Sequence, residues 1–295
     1  MHDQFKHNKL MNRLDSKTRA AVIAGLVEGC SIRSITRMTS VSKPTVLKLL
    51  VEVGAVASKY QDETLRHLKC QRVQVDEIWA FCYAKAKNVT TEISAKNPGA
   101  GDVWTWAAID ADTKLIPSWV VGGRDGITAR LFISDLRSRI AGRFQLSSDG
   151  FQAYVTAIER AFEGHIDYAQ IIKVFGSPVD GEKRYSPAEC IGCERKVVSG
   201  YPDPKHISTS YIERANLTMR MGMRRFTRLT NGFSKKIENH VASVALHMLH
   251  YNFVRIHQTL RVTPAMAAGI ADHAWEIADI VALLEADERG LERAA

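Results

Sequence analysis

Residues 73–81 read Val-Gln-Val-Asp-Glu-Ile-Trp-Ala-Phe, apolar and β-prone side chains on both sides of one acidic pair, Asp76 and Glu77. A run of this kind predicts a buried central strand that carries a carboxylate into a site, because a strand covered on both faces loses the polar half of its alternation. Successive side chains leave a strand on opposite faces, so at most one of Asp76 and Glu77 is predicted to join a given pocket. Read alone, such a carboxylate is more simply a strand-end group hydrogen-bonded to a neighbouring loop.

Downstream, residues 85–101 are polar and end in Pro98-Gly99-Ala100-Gly101, a loop. Residues 103–109 and 115–121, joined by Asp110-Ala111-Asp112-Thr113-Lys114, predict a hairpin that pairs with the first strand. Amphipathic helix follows over 129–141, strand over 144–147, helix over 150–162 and strand over 166–174. Three strands, helix, strand, helix is the order of an α/β fold, a mixed sheet flanked by helices. Residues 176–209, rich in Gly, Pro, Ser and charge, read as an irregular insertion. Helix resumes over 210–226 and 235–257, and a last helix spans 274–284, with a frayed tail after it.

Upstream, residues 1–16 are polar and loose. Three helical segments with tight breaks follow to about residue 54: one stopped by Gly29, one capped by Ser31, and one entered through Ser42 with Pro44 in its first turn. Lys43, Thr45 and Lys48 lie on the outer side of the third. That spacing matches an all-α helix-turn-helix reader of the DNA major groove, although small helical bundles that bind nothing share it. The organisation predicted is therefore a helix-turn-helix domain over 1–60, a charged linker helix over 61–72, a catalytic core over 73–270 with the insertion at 176–209, and a C-terminal helix and acidic tail over 271–295.

The 295 residues balance 40 Lys and Arg against 32 Asp and Glu, for a net charge of +8. The excess is uneven: residues 1–60 carry ten basic side chains against four acidic ones, and residues 214–236 carry seven basic and no acidic ones. Two basic blocks suggest a polyanion partner, with a solvated basic face as the plain alternative. No stretch has the length of apolar residues that a membrane span needs, and Met-His-Asp-Gln is not the start of a signal peptide, so a cytoplasmic location without membrane contact is expected. Five cysteines, odd in number and scattered, argue against a disulfide framework. Cys190 and Cys193 form one CxxC pair with only His206 at a loose spacing, short of the four ligands of a zinc site, so zinc is not expected.

Two further carboxylates stand out. Asp149, in Leu-Ser-Ser-Asp-Gly, follows the strand at 144–147 and precedes a helix, where α/β sheets place ligands. By itself an Asp before Gly is a turn or cap residue. Glu213 lies one turn into a helix, with Asn216, Arg220 and Arg224 following near one face. Together, Asp76, Asp149 and Glu213 would bind a pair of hard divalent cations beside a phosphodiester, since crowded carboxylates repel one another unless cations neutralise them.

Val75-Asp76-Glu77-Ile78-Trp79, Ser148-Asp149-Gly150, Tyr211-Ile212-Glu213-Arg214 and the closing Tyr251-Asn252-Phe253-Val254-Arg255-Ile256-His257-Gln258-Thr259-Leu260 with Thr263-Pro264-Ala265 together resemble the DDE transposases of bacterial insertion sequences. Ser186-Pro187-Ala188-Glu189-Cys190 and Arg225-Phe226-Thr227-Arg228-Leu229-Thr230 add a likeness to the family of insertion sequence one. The resemblance covers most of residues 70–270. It implies a ribonuclease H-like core dependent on Mg²⁺ or Mn²⁺, with two ions held by Asp76, Asp149 and Glu213 as catalytic residues. It also implies a homo-oligomer that cuts the element's ends and joins them to target DNA in the bacterial nucleoid. Arg214, Arg220 and Arg224 would hold DNA phosphates, and Asn216 would orient a carboxylate. The zinc segment that some relatives carry before the helix-turn-helix does not carry over. A ribonuclease H-like nuclease that only hydrolyses, and an inactive transposase-derived DNA-binding regulator, are the alternative readings.

Overall fold

The computed structural model describes residues 13–176, 190–227 and 231–294. The polar start up to residue 12, Ser186-Pro187-Ala188-Glu189 and Arg228-Leu229-Thr230 lie outside the described residues.

The run at 73–81 sits inside β1, Arg72–Cys82, and its neighbours build the sheet outward. β2, Gly101–Asp110, pairs antiparallel with β1 along its whole length, from Val73↔Asp110 to Cys82↔Gly101. β3, Trp119–Gly122, continues antiparallel on β2. On the other side β4, Gln145–Asp149, runs parallel to β1, and β5, Asp167–Phe175, runs parallel to β4. The order β3-β2-β1-β4-β5-β6 ends on β6, Cys190–Ser199, antiparallel to β5. The chain is thus α/β with a six-stranded mixed sheet flanked by helices, an arrangement compatible with a ribonuclease H-like core.

Two strands depart from the sequence reading. β6 lies where the composition predicts irregular chain. Most of its side chains are exposed, so it is held by its backbone ladder to β5 and leaves no hydrophobic period to read. β3 starts four residues later than expected. Upstream of it, the Ile116 N–H donates to Asn252 Oδ1 and the Ile116 C=O accepts from Asn252 Nδ2, both at 2.9 Å, which ties this stretch to the C-terminal part of the chain.

Helices α1, Ser16–Val27, α2, Ile32–Thr39, and α3, Lys43–Thr64, precede the sheet. Each begins on a side-chain cap: Ser31 and Ser42, as the sequence predicts, accept from the Ser34 and Thr45 N–H groups, and Asp15, which escapes the sequence reading, accepts from the Thr18 N–H. The break between α2 and α3 is a left-handed Ser40 at φ 59°. The third helix does not stop near Gly54. It runs 22 residues, enters the stretch assigned to a linker helix and ends there at Thr64. α4, Thr91–Lys96, is a short helix inside the polar loop after β1.

α5, Gly126–Arg139, and α6, Gln152–Phe162, cover one face of the sheet, with Phe132, Ile133, Leu136, Tyr154 and Ile158 packed among Val73, Val75, Trp106 and Leu146. α7, Ser210–Gly222, lies on the other face, where Ile212, Ala215 and Met219 meet Ile78, Ala80 and Cys82. α8, Ile237–Leu249, passes between that layer and α3. Its Val244 and Met248 join α7, and its Ala242, Ala245, Leu246 and Leu249 join the N-terminal helices. The α3–α8 crossing is close because Gly54 has no side chain: a Cβ there would stand 2.5 Å from Ala242 Cα. A short α9, Pro264–Ala267, leads to α10, Ile277–Ala294, which is longer than the predicted 274–284 and stays helical where a frayed tail is expected.

α10 accounts for part of the charge asymmetry. Arg19 pairs with Glu288 at 2.9 Å, Lys59 with Asp287 at 2.9 Å and Arg13 with Glu292 at 3.3 Å, so acidic residues near the C-terminus neutralise basic residues of the first 60. Among the described residues no helix is long and apolar enough to cross a membrane.

Candidate active site

β1 and β4 pair only from Arg72↔Gln145 to Gln74↔Ser147. Beyond Gln74 the two strands part, β4 ends at Asp149, and the opening holds a cavity of about 670 Å³. It lies at the carboxyl end of a parallel strand, where α/β sheets bind ligands.

Asp76, Glu77 and Asp149 each present an oxygen to this opening, all within 4.8 Å of one another. The alternation rule therefore fails as a guide to the pocket. Asp76 and Glu77 do leave opposite faces of β1, but the strand has no partner at that edge, so both faces open onto one space and the longer Glu reaches round. Glu77 is buried with one donor on each carboxylate oxygen. Tyr154 Oη donates to its Oε2 at 2.9 Å and Arg124 Nε to its Oε1 at 2.7 Å. Asp76 accepts from Asn216 Nδ2 at 2.9 Å. Burial, with Glu77 and Asp149 adding repulsion, pushes the Asp76 carboxyl up to about 7. Glu77 is also raised, by burial and by Asp149, against the pull of Arg124 and Tyr154. Asp149 closes a turn by accepting from the Phe151 N–H at 3.0 Å, and Arg124 Nη2 stands 4.0 Å from its Oδ2.

α7 brings the fourth carboxylate. Its first turn has no side-chain cap of its own. Instead Gln74 Oε1, on the same face of β1 as Asp76, accepts from the Tyr211 and Ile212 N–H groups at 2.8 and 3.2 Å and pins the helix over the strand. Glu213 and Asn216 line the cavity as a result. Glu213 stands outside the three-carboxylate set. Its Oε1 accepts from Lys173 Nζ at 2.7 Å and from Thr209 Oγ1 at 2.6 Å. Of the three acids singled out from sequence, the fold brings all to one cavity, and it places Asp76 and Asp149 together with Glu77 in the place expected for Glu213. Glu77, Arg124, Tyr154 and Lys173 escape the sequence reading. Only Glu77 leaves a signal, its adjacency to Asp76.

The donors fit a hard divalent cation: three carboxylates on one space, and a buried Asn216 Oδ1 without a hydrogen-bond partner beside them. A cation there would offset both the burial and the carboxylate repulsion that raise the Asp76 carboxyl.

The basic residues fall into separate groups. Arg220 lines the cavity, and Arg214 is exposed on α7. Arg224 is not on the helix with them, because α7 ends at Gly222 and Arg224 opens a 3₁₀ turn, Arg224–Phe226. Lys43 and Lys48 are exposed and Thr45 is half-buried at the start of α3, where Lys48 pairs with Glu52 at 3.7 Å. Cys190 and Cys193 Sγ atoms are 3.9 Å apart on β6, and the described residues add no third His, Cys, Asp or Glu to them. Compared with known proteins, the chain matches no family model, and no curated protein matches it significantly.

Proposed function

We propose that the protein is a metal-dependent enzyme of DNA strand cleavage and transfer, of the DDE transposase kind, with its chemistry at Asp76, Glu77 and Asp149. The observation that carries the reading is the clustering of three carboxylate oxygens within 4.8 Å at the parting of β1 and β4, in a cavity also lined by the basic side chains Arg124, Lys173 and Arg220. Asp76, Glu77 and Asp149 would hold Mg²⁺ or Mn²⁺. A divalent cation there supplies Lewis acidity to a phosphodiester and offsets the charge developing on the leaving oxygen. Asn216 orients Asp76 through its amide, and Tyr154 and Arg124 fix Glu77. Arg220 and Lys173 line the same cavity and would take the phosphate backbone. No protein nucleophile is required, because water or a DNA 3′-hydroxyl attacks.

Glu213 belongs to this reading as a carboxylate in reserve. Its pair with Lys173 is about two-fifths exposed on each side, and ion pairs of that kind contribute about 0–1 kcal/mol, little enough for a cation to displace. The outer turn of α3, with Lys43, Thr45 and Lys48, would read the element's ends as a helix-turn-helix, and joining two ends would require more than one copy of the chain. The engagement of Glu213 by Lys173 favours one competing reading, an inactive DNA-binding descendant. The full-length protein and an Asp76→Asn variant, incubated with an element-end duplex and Mn²⁺, separate the two. Loss of cleavage by at least about 100-fold with DNA binding retained supports the enzyme. Equal cleavage by both proteins, or none by the parent, sinks it. Transfer of a pre-cleaved 3′-end to a second duplex distinguishes a transposase from a nuclease that only hydrolyses.

A further inference from the structure

The face of β1 that carries Glu77 also carries Trp79 and Phe81, each two residues further along. Trp104 stands opposite Trp79 in the antiparallel ladder and shares that face. At the Glu77 level α5 and α6 seal the sheet: Trp106, opposite Glu77, is buried with the rings of Phe132 and Tyr154 at 6.0 and 5.3 Å. Past it Trp79, Trp104 and Phe81 are only half-buried. Phe233, also half-buried, extends the row, with Phe81 4.9 Å from it and 5.7 Å from Trp79, at shallow interplanar angles of 31° and 35°.

Cations lie over the middle of this row and over its Trp104 end. Lys85 Nζ is 5.6 Å from the Trp79 ring and 5.9 Å from the Phe81 ring, and Arg124, which bonds Glu77, sits 5.1 Å from Trp104. Aromatic faces interleaved with cations are what successive unpaired bases and their phosphates require: the rings stack on bases and the cations meet the backbone. A duplex cannot use the rings, since its bases are already stacked on one another.

We propose that Trp104, Trp79, Phe81 and Phe233, with Lys85 and Arg124, form a platform for a single-stranded stretch of nucleic acid leading into the carboxylate site. The inference rests on the reading that this site takes nucleic acid, and it adds that the strand arrives unpaired.

The test measures binding of labelled oligothymidine, and of a duplex of equal length, to the full chain in EDTA at fixed salt, so that no catalysis enters. Trp79→Leu and Phe81→Leu keep apolar bulk and are expected to weaken single-strand binding about 5- to 100-fold each, the worth of one stacked base, with duplex binding within about two-fold. Lys85→Ala is expected to weaken single-strand binding and to lower the slope of log affinity against log salt by about 0.7. Should the leucine variants not fold, quenching of tryptophan fluorescence in the unaltered protein by oligothymidine supports the platform and its absence overturns it. Unchanged single-strand binding in both leucine variants, or a parallel fall for the duplex, overturns it as well. This holds even where Asp76→Asn abolishes cleavage. Conversely, a selective single-strand loss supports the platform even where the Asp76→Asn test removes the catalytic reading.

Discussion

Asp76 and Glu77 are neighbours in the chain and differ in what holds them. Glu77 has two strong donors and contributes structure as well as charge, whereas Asp76 has one amide, from Asn216, and two nearby carboxylates. Asn216 is therefore a positioning residue whose loss should be felt through Asp76. Asn216→Ala is expected to reduce metal-dependent cleavage about 10- to 100-fold, the range seen when an outer partner of a ligand is removed. A merely structural effect would lower the melting temperature and leave the divalent-ion dependence where it was. A positioning role raises the ion concentration needed for half-maximal cleavage, so a titration with Mn²⁺ decides between them.

Among the elements, α3 joins what sequence reads as two units. Its first turns pack with α1 and α2, and its last turns pack on α8 at Gly54 and receive Arg139 from α5, which donates to the Gln61 and Leu65 carbonyls at 3.3 and 3.4 Å. The helix carries two jobs because an amphipathic stripe continues through Val53, Val56, Ala57 and Gln61 without a break. Gly54 is the tightest point. A methyl group there meets Ala242 backbone at 2.5 Å, so the helices must separate. Gly54→Ala, which in an isolated helix would stabilise by up to about 1 kcal/mol, is expected here to destabilise by about 1–3 kcal/mol. Chemical denaturation checks it, and a rise in midpoint would show that α3 and α8 do not approach so closely.

For the molecule as a whole, one continuous core runs from the N-terminal helices through α8 to the sheet, and His240 and His247 are buried within its layers. Among the described residues the His240 side chain has one hydrogen-bond partner, Ser234 Oγ at 3.2 Å, its Nε2 has none, its ring packs on Phe226 at 5.2 Å, and Arg225 donates to the same Ser234 hydroxyl. Burial and the Arg225 charge push its pKa down to about 3, and burial does the same for His247. The unfolded chain therefore takes up protons that the folded one refuses. Stability from these groups is present above about pH 6.5 and falls as pH drops from there toward about 3. His240→Gln is expected to lose less stability than the parent between about pH 6 and about pH 4, by on the order of 1 kcal/mol per unit, in paired denaturation curves. Parallel curves would mean that His240 is protonated in the fold.

The amino-acid sequence by itself determined β1, its antiparallel partner β2, the α5–β4–α6 succession, the caps of the second and third helices, and three acids, Asp76, Asp149 and Glu213, that the fold brings to one cavity. These rest on local rules: period, turn chemistry and capping act within a few residues. What only the tertiary structure decided is which acids share a space. Glu77 joins Asp76 because β4 leaves β1 three pairs into their ladder, and Glu213 stands apart because Lys173, forty residues earlier on β5, reaches it first. The same holds for β6, held by its backbone ladder with only Val198 packed on the core, and for the acidic α10 neutralising the basic N-terminal helices. Strand separation and charge pairing across the chain leave no periodic trace in the residues that undergo them, and they are set only when distant elements dock.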